Sequence, residues 1–223
     1  TRGRALLRPL QGMLPGGGAP DETAVQGAIA DRILKAGPGR PSVEGLPVTL
    51  EEQEHLLHRL RRSMGAMHRQ AAQAAVPLVF LIAPTNPAGI WPFAVLADAA
   101  SKDADRRVAA FRKGEREGLA ESVAELLRRA PGRADLHFLQ GLLLREQGRQ
   151  AEADAAFQSA QDLDQAPMHL TSRLAGAIQE EARRLGRPCL DLNVPLRRAG
   201  SSLADPDLFL DHGHLVEQGQ LAV

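Results

Sequence analysis

From Thr49 onward the apolar residues fall into a helical rhythm. Leu57, Leu60, Met64, Met67, Ala71 and Ala74 recur at spacings of three and four, which places them on one face of a helix. Thr49-Leu50-Glu51-Glu52 fits a capping box at its start: a hydroxyl and a carboxylate serve the first unpaired amides. Arg59, Arg61, Arg62 and Arg69 occupy the other side and are read as a solvated surface. The rhythm stops at Val76-Pro77-Leu78-Val79-Phe80-Leu81-Ile82-Ala83, a continuous apolar run rich in β-branched and aromatic residues. Such a run predicts a strand buried on both faces, as in parallel sheets. Pro84-Thr85-Asn86-Pro87-Ala88-Gly89 follows as a loop at the strand's carboxyl end, the edge at which open α/β sheets build their sites.

Between residues 103 and 166 the pattern becomes helical with short turns. Gly141, Leu144, Gly148, Ala153, Phe157 and Ala160 stand at the spacings of a tetratricopeptide repeat, in which small residues let two helices approach and an aromatic fills the gap. Gly118, Val123, Leu127 and Ala130 echo the second half of that pattern at an offset of 30 residues. Two helix pairs fall short of the roughly three repeats a solenoid needs, so they are expected to lean on a neighbouring sheet domain as an insertion. A helix then runs to about Leu185, with Leu170, Leu174, Ile178 and Leu185 on one face and Gly186 as its stop. Arg187-Pro188-Cys189-Leu190-Asp191-Leu192 reads as a second short strand. A crossover of this length demands that the two strands be parallel. The Val76 run asks for strand neighbours on both sides, which points to further strands outside the chain.

Residues 1–48 are irregular. Short helices are expected at Arg4–Leu14 and Asp21–Lys35, interrupted by Pro15-Gly16-Gly17-Gly18 and by Gly37-Pro38-Gly39-Arg40-Pro41. The organisation read from the sequence is therefore a linker and cover (1–48), an α/β part (49–102), a helical insertion (103–166) and a second α/β part (167–223). The ends, Thr1 and Val223, read as those of a piece of a longer protein.

Lys plus Arg and Asp plus Glu both number 27, which gives no electrostatic case for nucleic acid or an anionic membrane. Aromatics are 3% with no Tyr, so no stacking platform for bases or sugars is available. Cys189 is the single cysteine, which excludes an intrachain disulfide and a Cys-based zinc site. No apolar run approaches the roughly 20 residues needed to cross a bilayer.

The candidate chemistry lies near the carboxyl terminus, in Phe209-Leu210-Asp211-His212-Gly213-His214. Asp211 and His214 are three apart, so at a helix start both side chains can face one way. A carboxylate so placed accepts from one imidazole nitrogen, fixes its tautomer and leaves the other nitrogen to take a proton from a hydroxyl. The same spacing also occurs in surface loops, where His214 would only cap or pack. Asp211 with His212 and His214, or His55 with His58, are the sets from which a metal reading would start, and neither reaches a convincing ligand set; no metal and no cofactor is expected. Ser201 and Ser202 lie in a loop without the strand-to-helix turn that exposes a nucleophile. Ser42, Ser63, Ser101, Ser122, Ser159 and Ser172 lack that context too. Asn86 is a polar candidate for the site rim, with loop capping as the simpler alternative.

The block Asp207-Leu208-Phe209-Leu210-Asp211-His212-Gly213-His214, followed by Glu217-Gln218-Gly219, resembles the last block of the SGNH/GDSL hydrolases. Ala75 to Phe80 with Pro84-Thr85-Asn86, and Asp162 to Pro167 with Pro188 to Leu192, resemble the bacterial members that carry a tetratricopeptide-like insertion. The resemblance spans roughly residues 49–223. It implies a partial flavodoxin-like three-layer α/β/α sandwich with parallel strands and an inserted helical segment. It also implies that His214 is a general base and Asp211 its orienting acid, in a serine hydrolase acting on a small-molecule or glycan acyl ester. The family's Gly-Asp-Ser block and its oxyanion Gly and Asn blocks do not occur in this chain, and Leu215 stands where the family has Pro. The nucleophile would then lie outside the chain. The alternatives are a module that binds a protein partner through the helical insertion on an inactive hydrolase-like scaffold, and a remnant without function.

Overall fold

A computed structural model describes residues 50–95, 98–167, 170–198, 208–209 and 213–222. The expected helices at Arg4–Leu14 and Asp21–Lys35, the Thr49 cap, and Ser201, Ser202, Asp211 and His212 lie outside the described residues. In chain order the elements are α1 (Leu50–Gln73), β1 (Phe80–Ile82), α2 (Ser101–Arg112), α3 (Leu119–Arg129), α4 (Ala134–Glu146), α5 (Gln150–Leu163), α6 (Ser172–Arg184), β2 (Cys189–Asp191), α7 (Asn193–Arg198) and α8 (Glu217–Ala222). The described chain is mostly helical, with a small parallel sheet.

The apolar stripe of α1 faces inward at Leu57, Met64 and Ala71, but Met67 is exposed and Ala74 lies beyond the helix end. The helix closes with Ala75 N–H donating to the Ala72 carbonyl and Val76 N–H to that of Ala71, which leaves Ala75 in the left-handed region at φ 52°. Glycine is the usual residue there, because a Cβ in that conformation crowds the following carbonyl.

The strand that follows is much shorter than the apolar run predicts. Only Phe80–Ile82 enters a ladder, pairing parallel with β2 in the register Phe80–Cys189, Leu81–Leu190 and Ile82–Asp191. β2 is itself three residues long, and in this parallel register the positions that would face Val76–Val79 are the end of α6, its left-handed Gly186 turn and Pro188, so nothing opposite extends the ladder toward Val76. Pro77 has no N–H to contribute in any case. The expectation of burial on both faces also fails. Phe80 and Ile82 are buried, whereas Leu81 and its cross-strand partner Leu190 are 57% and 52% exposed.

The covered face is built by α1 and α6, which pack on each other, while α6 spans both strands. Met64, Phe80 and Ala182 form its centre, with Leu60, Ile178, Leu185 and Cys189 packed around them. Thr171 caps α6 by accepting the Leu174 N–H, and Asp162 accepts that of Ser172. At the other end Gly186 takes φ 63° and the Arg187 N–H reaches the Ala182 carbonyl, so the expected glycine stop is a left-handed C-terminal cap.

The helices α2 to α5 fill residues 101–163. α4 and α5 pack most closely, because Gly141 faces Phe157: a Cβ added at 141 would sit 2.7 Å from the Phe157 ring. Phe138 meets Phe157 edge-on with centroids 5.2 Å apart. The two glycines repeated 30 residues apart, Gly118 and Gly148, both adopt positive φ in the turns that lead into α3 and α5. Between α2 and α4 a buried ion pair forms: Arg133, its side chain 3% exposed, donates Nε and Nη2 to Asp135 at 2.9 and 2.5 Å. It also donates Nη1 to Ser101 Oγ at 2.6 Å. Asp98 and Asp105 lie 3.5 and 4.0 Å from the same guanidinium.

Candidate functional site

Parallel strands deliver their loops to a common edge, and both strands here end on residues that tie those loops together. After β2, Asp191 Oδ1 accepts the backbone N–H and the side-chain Nδ2 of Asn193, each at 2.9 Å. This arrangement orients the Asn193 amide so that its Oδ1 accepts the Thr85 N–H at 3.3 Å, in the loop after β1. Asp191 and Asn193 were not singled out from the sequence. Their only signal was an Asp two residues before an Asn at a strand end, the spacing of a side chain that caps its own turn.

Asn86 follows immediately and is 6% exposed. Its Oδ1 accepts the Ala88 N–H at 3.1 Å, and its own carbonyl accepts the Gly89 N–H at 3.1 Å. The loop-capping role expected of it is therefore present. It uses the amide oxygen and leaves the Nδ2 donor without an acceptor among the described residues. A Cβ at position 89 would lie 3.0 Å from that nitrogen, so glycine keeps the space beside it open. A buried amide held in one orientation with its donor uncommitted can direct a hydrogen bond at a ligand oxygen.

The rest of this loop is fastened to the helices. Asp164, just past α5, accepts the N–H groups of Phe93 at 2.9 Å and Ala94 at 3.0 Å, as well as that of Ala166 at 3.0 Å. The Gln165 N–H returns to the Ala94 carbonyl at 2.9 Å. Burial raises the Asp164 carboxyl above the usual carboxylate range, against the opposing pull of those three amides. Trp91 packs on Phe138 with ring centroids 4.6 Å apart, and the Arg112 guanidinium lies 5.2 Å from the indole centroid.

His214 sits on a different segment, with its side chain exposed. Phe209 and Leu215 form an antiparallel bridge, and the Val216 N–H donates to the Leu208 carbonyl at 3.0 Å. Leu208, Phe209 and Leu215 pack on Leu196 of α7, which anchors this segment to the element after β2. The helix α8 begins only at Glu217, so His214 precedes it by three residues. His214 directly precedes Leu215, the residue held by the bridge. Asp211 lies outside the described residues.

Asn86 and Asn193 thus share the carboxyl edge of the strands, and His214 follows the element that leaves the same edge. Among the described residues no cluster of three His, Cys, Asp or Glu side chains could hold a metal ion, and no helix is long and apolar enough to cross a membrane. A separate cleft of about 210 Å³ opens between α1 and α6, with Leu56, Leu57, Asp162, Pro167, Arg173 and Leu174 among its walls. It includes neither Asn86 nor His214. Compared with protein-family models, curated proteins and solved structures, the chain matches none.

Proposed function

We propose that this chain is the histidine-bearing part of an SGNH/GDSL-type serine hydrolase acting on acyl esters. Its strands would belong to a flavodoxin-like α/β/α sandwich that continues beyond them, and the helical segment 103–166 would be an insertion of tetratricopeptide type. In this reading a serine outside the chain attacks the acyl carbonyl while His214 takes its proton. Asp211 orients the imidazole and stabilises the imidazolium. The proton then passes to the departing alkoxide, and water repeats the sequence to release the acid. Asn86 Nδ2 serves the rim as a donor to a substrate oxygen.

One observation carries the reading: at the carboxyl edge of a parallel strand pair, a buried amide is locked through its oxygen and keeps an uncommitted donor. The specific motif around His214 and the exposure of that imidazole add to it. The test uses the full-length protein and a fluorophosphonate probe, which labels only a serine activated by a working base. Labelling and p-nitrophenyl acetate hydrolysis are expected to fall by about 10²-fold or more in His214→Ala. Equal rates in the variant and the parent would remove His214 from catalysis.

A second reading is favoured by the tight packing of Gly141 against Phe157, a helix pair that could present a protein-binding surface on an inactive scaffold. It predicts no fluorophosphonate labelling at all.

A further inference from the structure

We infer that the helical segment α2–α5 is a buttress that sets the position of the Asn86 amide, with Asp164 and Trp91 as positioning residues acting through the loop 86–94. As a role in turnover this rests on the hydrolase reading; as a mechanical link it does not.

Three attachments lie along nine residues of chain. Ala88 is the first. Its N–H holds Asn86 Oδ1, and its side chain packs against the cluster of Phe138, Ala153, Phe157 and Ala160 from α4 and α5. The group that orients the amide is thus seated on the core of the helical segment. Trp91 is the second, inserted between two helical clusters, with Phe138 on one side and Leu119, Val123, Leu139 and Leu143 on the other. The third is the Asp164 carboxylate, which takes two successive amides of the loop at its far end and is backed by Gln165. Pro87 and Pro92 each fix φ within this short stretch, so displacement at one attachment is passed on to the next. Among the described residues no comparable fastening ties the loop to the strands: on that side its hydrogen bonds are Thr85 to Asn193 and the weaker Asn193 contact with the Ala83 carbonyl. The helices hold the part of the loop that carries the donor, and the strands hold its root.

The experiment is hydrogen exchange on the full-length protein, comparing the parent with Asp164→Asn and with Trp91→Leu, which keeps an apolar side chain in the cluster. Exchange of the amides between Ala88 and Ala94 is expected to accelerate at least about tenfold in Asp164→Asn, the effect of losing a hydrogen bond to a charged acceptor, and to accelerate in Trp91→Leu as well, through lost ring packing on Phe138. The Phe80–Ile82 and Cys189–Asp191 amides should be unchanged. Unaltered exchange in the loop, or acceleration spread evenly over the chain, would overturn the buttress. Fluorophosphonate labelling of Asn86→Ala, Asp164→Asn and the double variant then reads the positioning role. If Asp164 acts through Asn86, the double variant labels no more slowly than Asn86→Ala alone. Additive losses would exclude that route. Should Asn86→Ala label at the parental rate, the rim assignment fails, while the exchange result still decides the mechanical link.

Discussion

The helical segment and the strand pair bury their apolar residues very differently. In α2–α5, Leu136, Leu139, Phe157 and Val123 are essentially inaccessible. In the strand pair one face is sealed by α1 and α6, while Leu81 and Leu190 stand side by side on the other with Val79 and Val194 also exposed. One region completes its own core from contiguous sequence. The other has half of a parallel sheet's usual packing, because strands of this kind are normally covered on both faces. Side chains of equal hydrophobicity therefore differ greatly in what they contribute to stability.

The sharpest way to break that contrast is a matched pair of truncations. Phe157→Ala removes a ring packed against Gly141 and Phe138, and should cost about 3–5 kcal/mol in denaturant unfolding. Leu81→Thr should change stability by no more than about 0.5 kcal/mol, since its side chain loses little burial and Thr suits a strand. A large loss at Leu81 would mean that its face is covered in solution.

The Arg133–Asp135 pair comes next. Asp135→Ala leaves a guanidinium in the helical core with Ser101 Oγ and two more distant, half-exposed carboxylates, and should cost about 3 kcal/mol. If unfolding is unaffected, Asp98 and Asp105 suffice and the core of α2–α4 is wetter than its burial suggests. The smallest effect has the opposite sign. Ala75→Gly relieves a left-handed residue at the end of α1 and should stabilise by up to about 1 kcal/mol, the steric gain being partly offset by a more flexible unfolded chain. A loss of stability there would show that the α1 cap is not strained.

What could be read in advance follows the range of the interactions. The Gly141–Phe157 approach, the Gly186 stop and the parallel strand pair are encoded within one helix pair or one crossover. Residue spacing reports such features directly. The strand was read too long because its length depends on how much partner is available, and only three residues of β2 face it. The tie from Asp164 to the loop gave no signal, since the Phe93 and Ala94 amides lie 71 and 70 positions away. Burial of Arg133 was equally illegible: an Arg two residues before an Asp is ordinarily a surface pair, and only the helices stacked around it change that. Asn86 was visible as a turn residue, but the donor it keeps in reserve depends on Ala88 and on the bare Cα of Gly89. For Asp211 and His214 the motif carried more than the geometry does, with His214 exposed just before the Leu215 bridge and Asp211 beyond the described residues.

Cys189, the only thiol in the chain, lies in β2 beneath α6, where burial and the neighbouring Asp191 both raise its pKa above the ordinary range. A sulfur that is partly covered and reluctant to ionise reacts more slowly with disulfide reagents than a free thiol does. The protein thus carries a native chemical reporter: faster thiol modification in a variant would register loosening of α6 over the strands, without any engineered label.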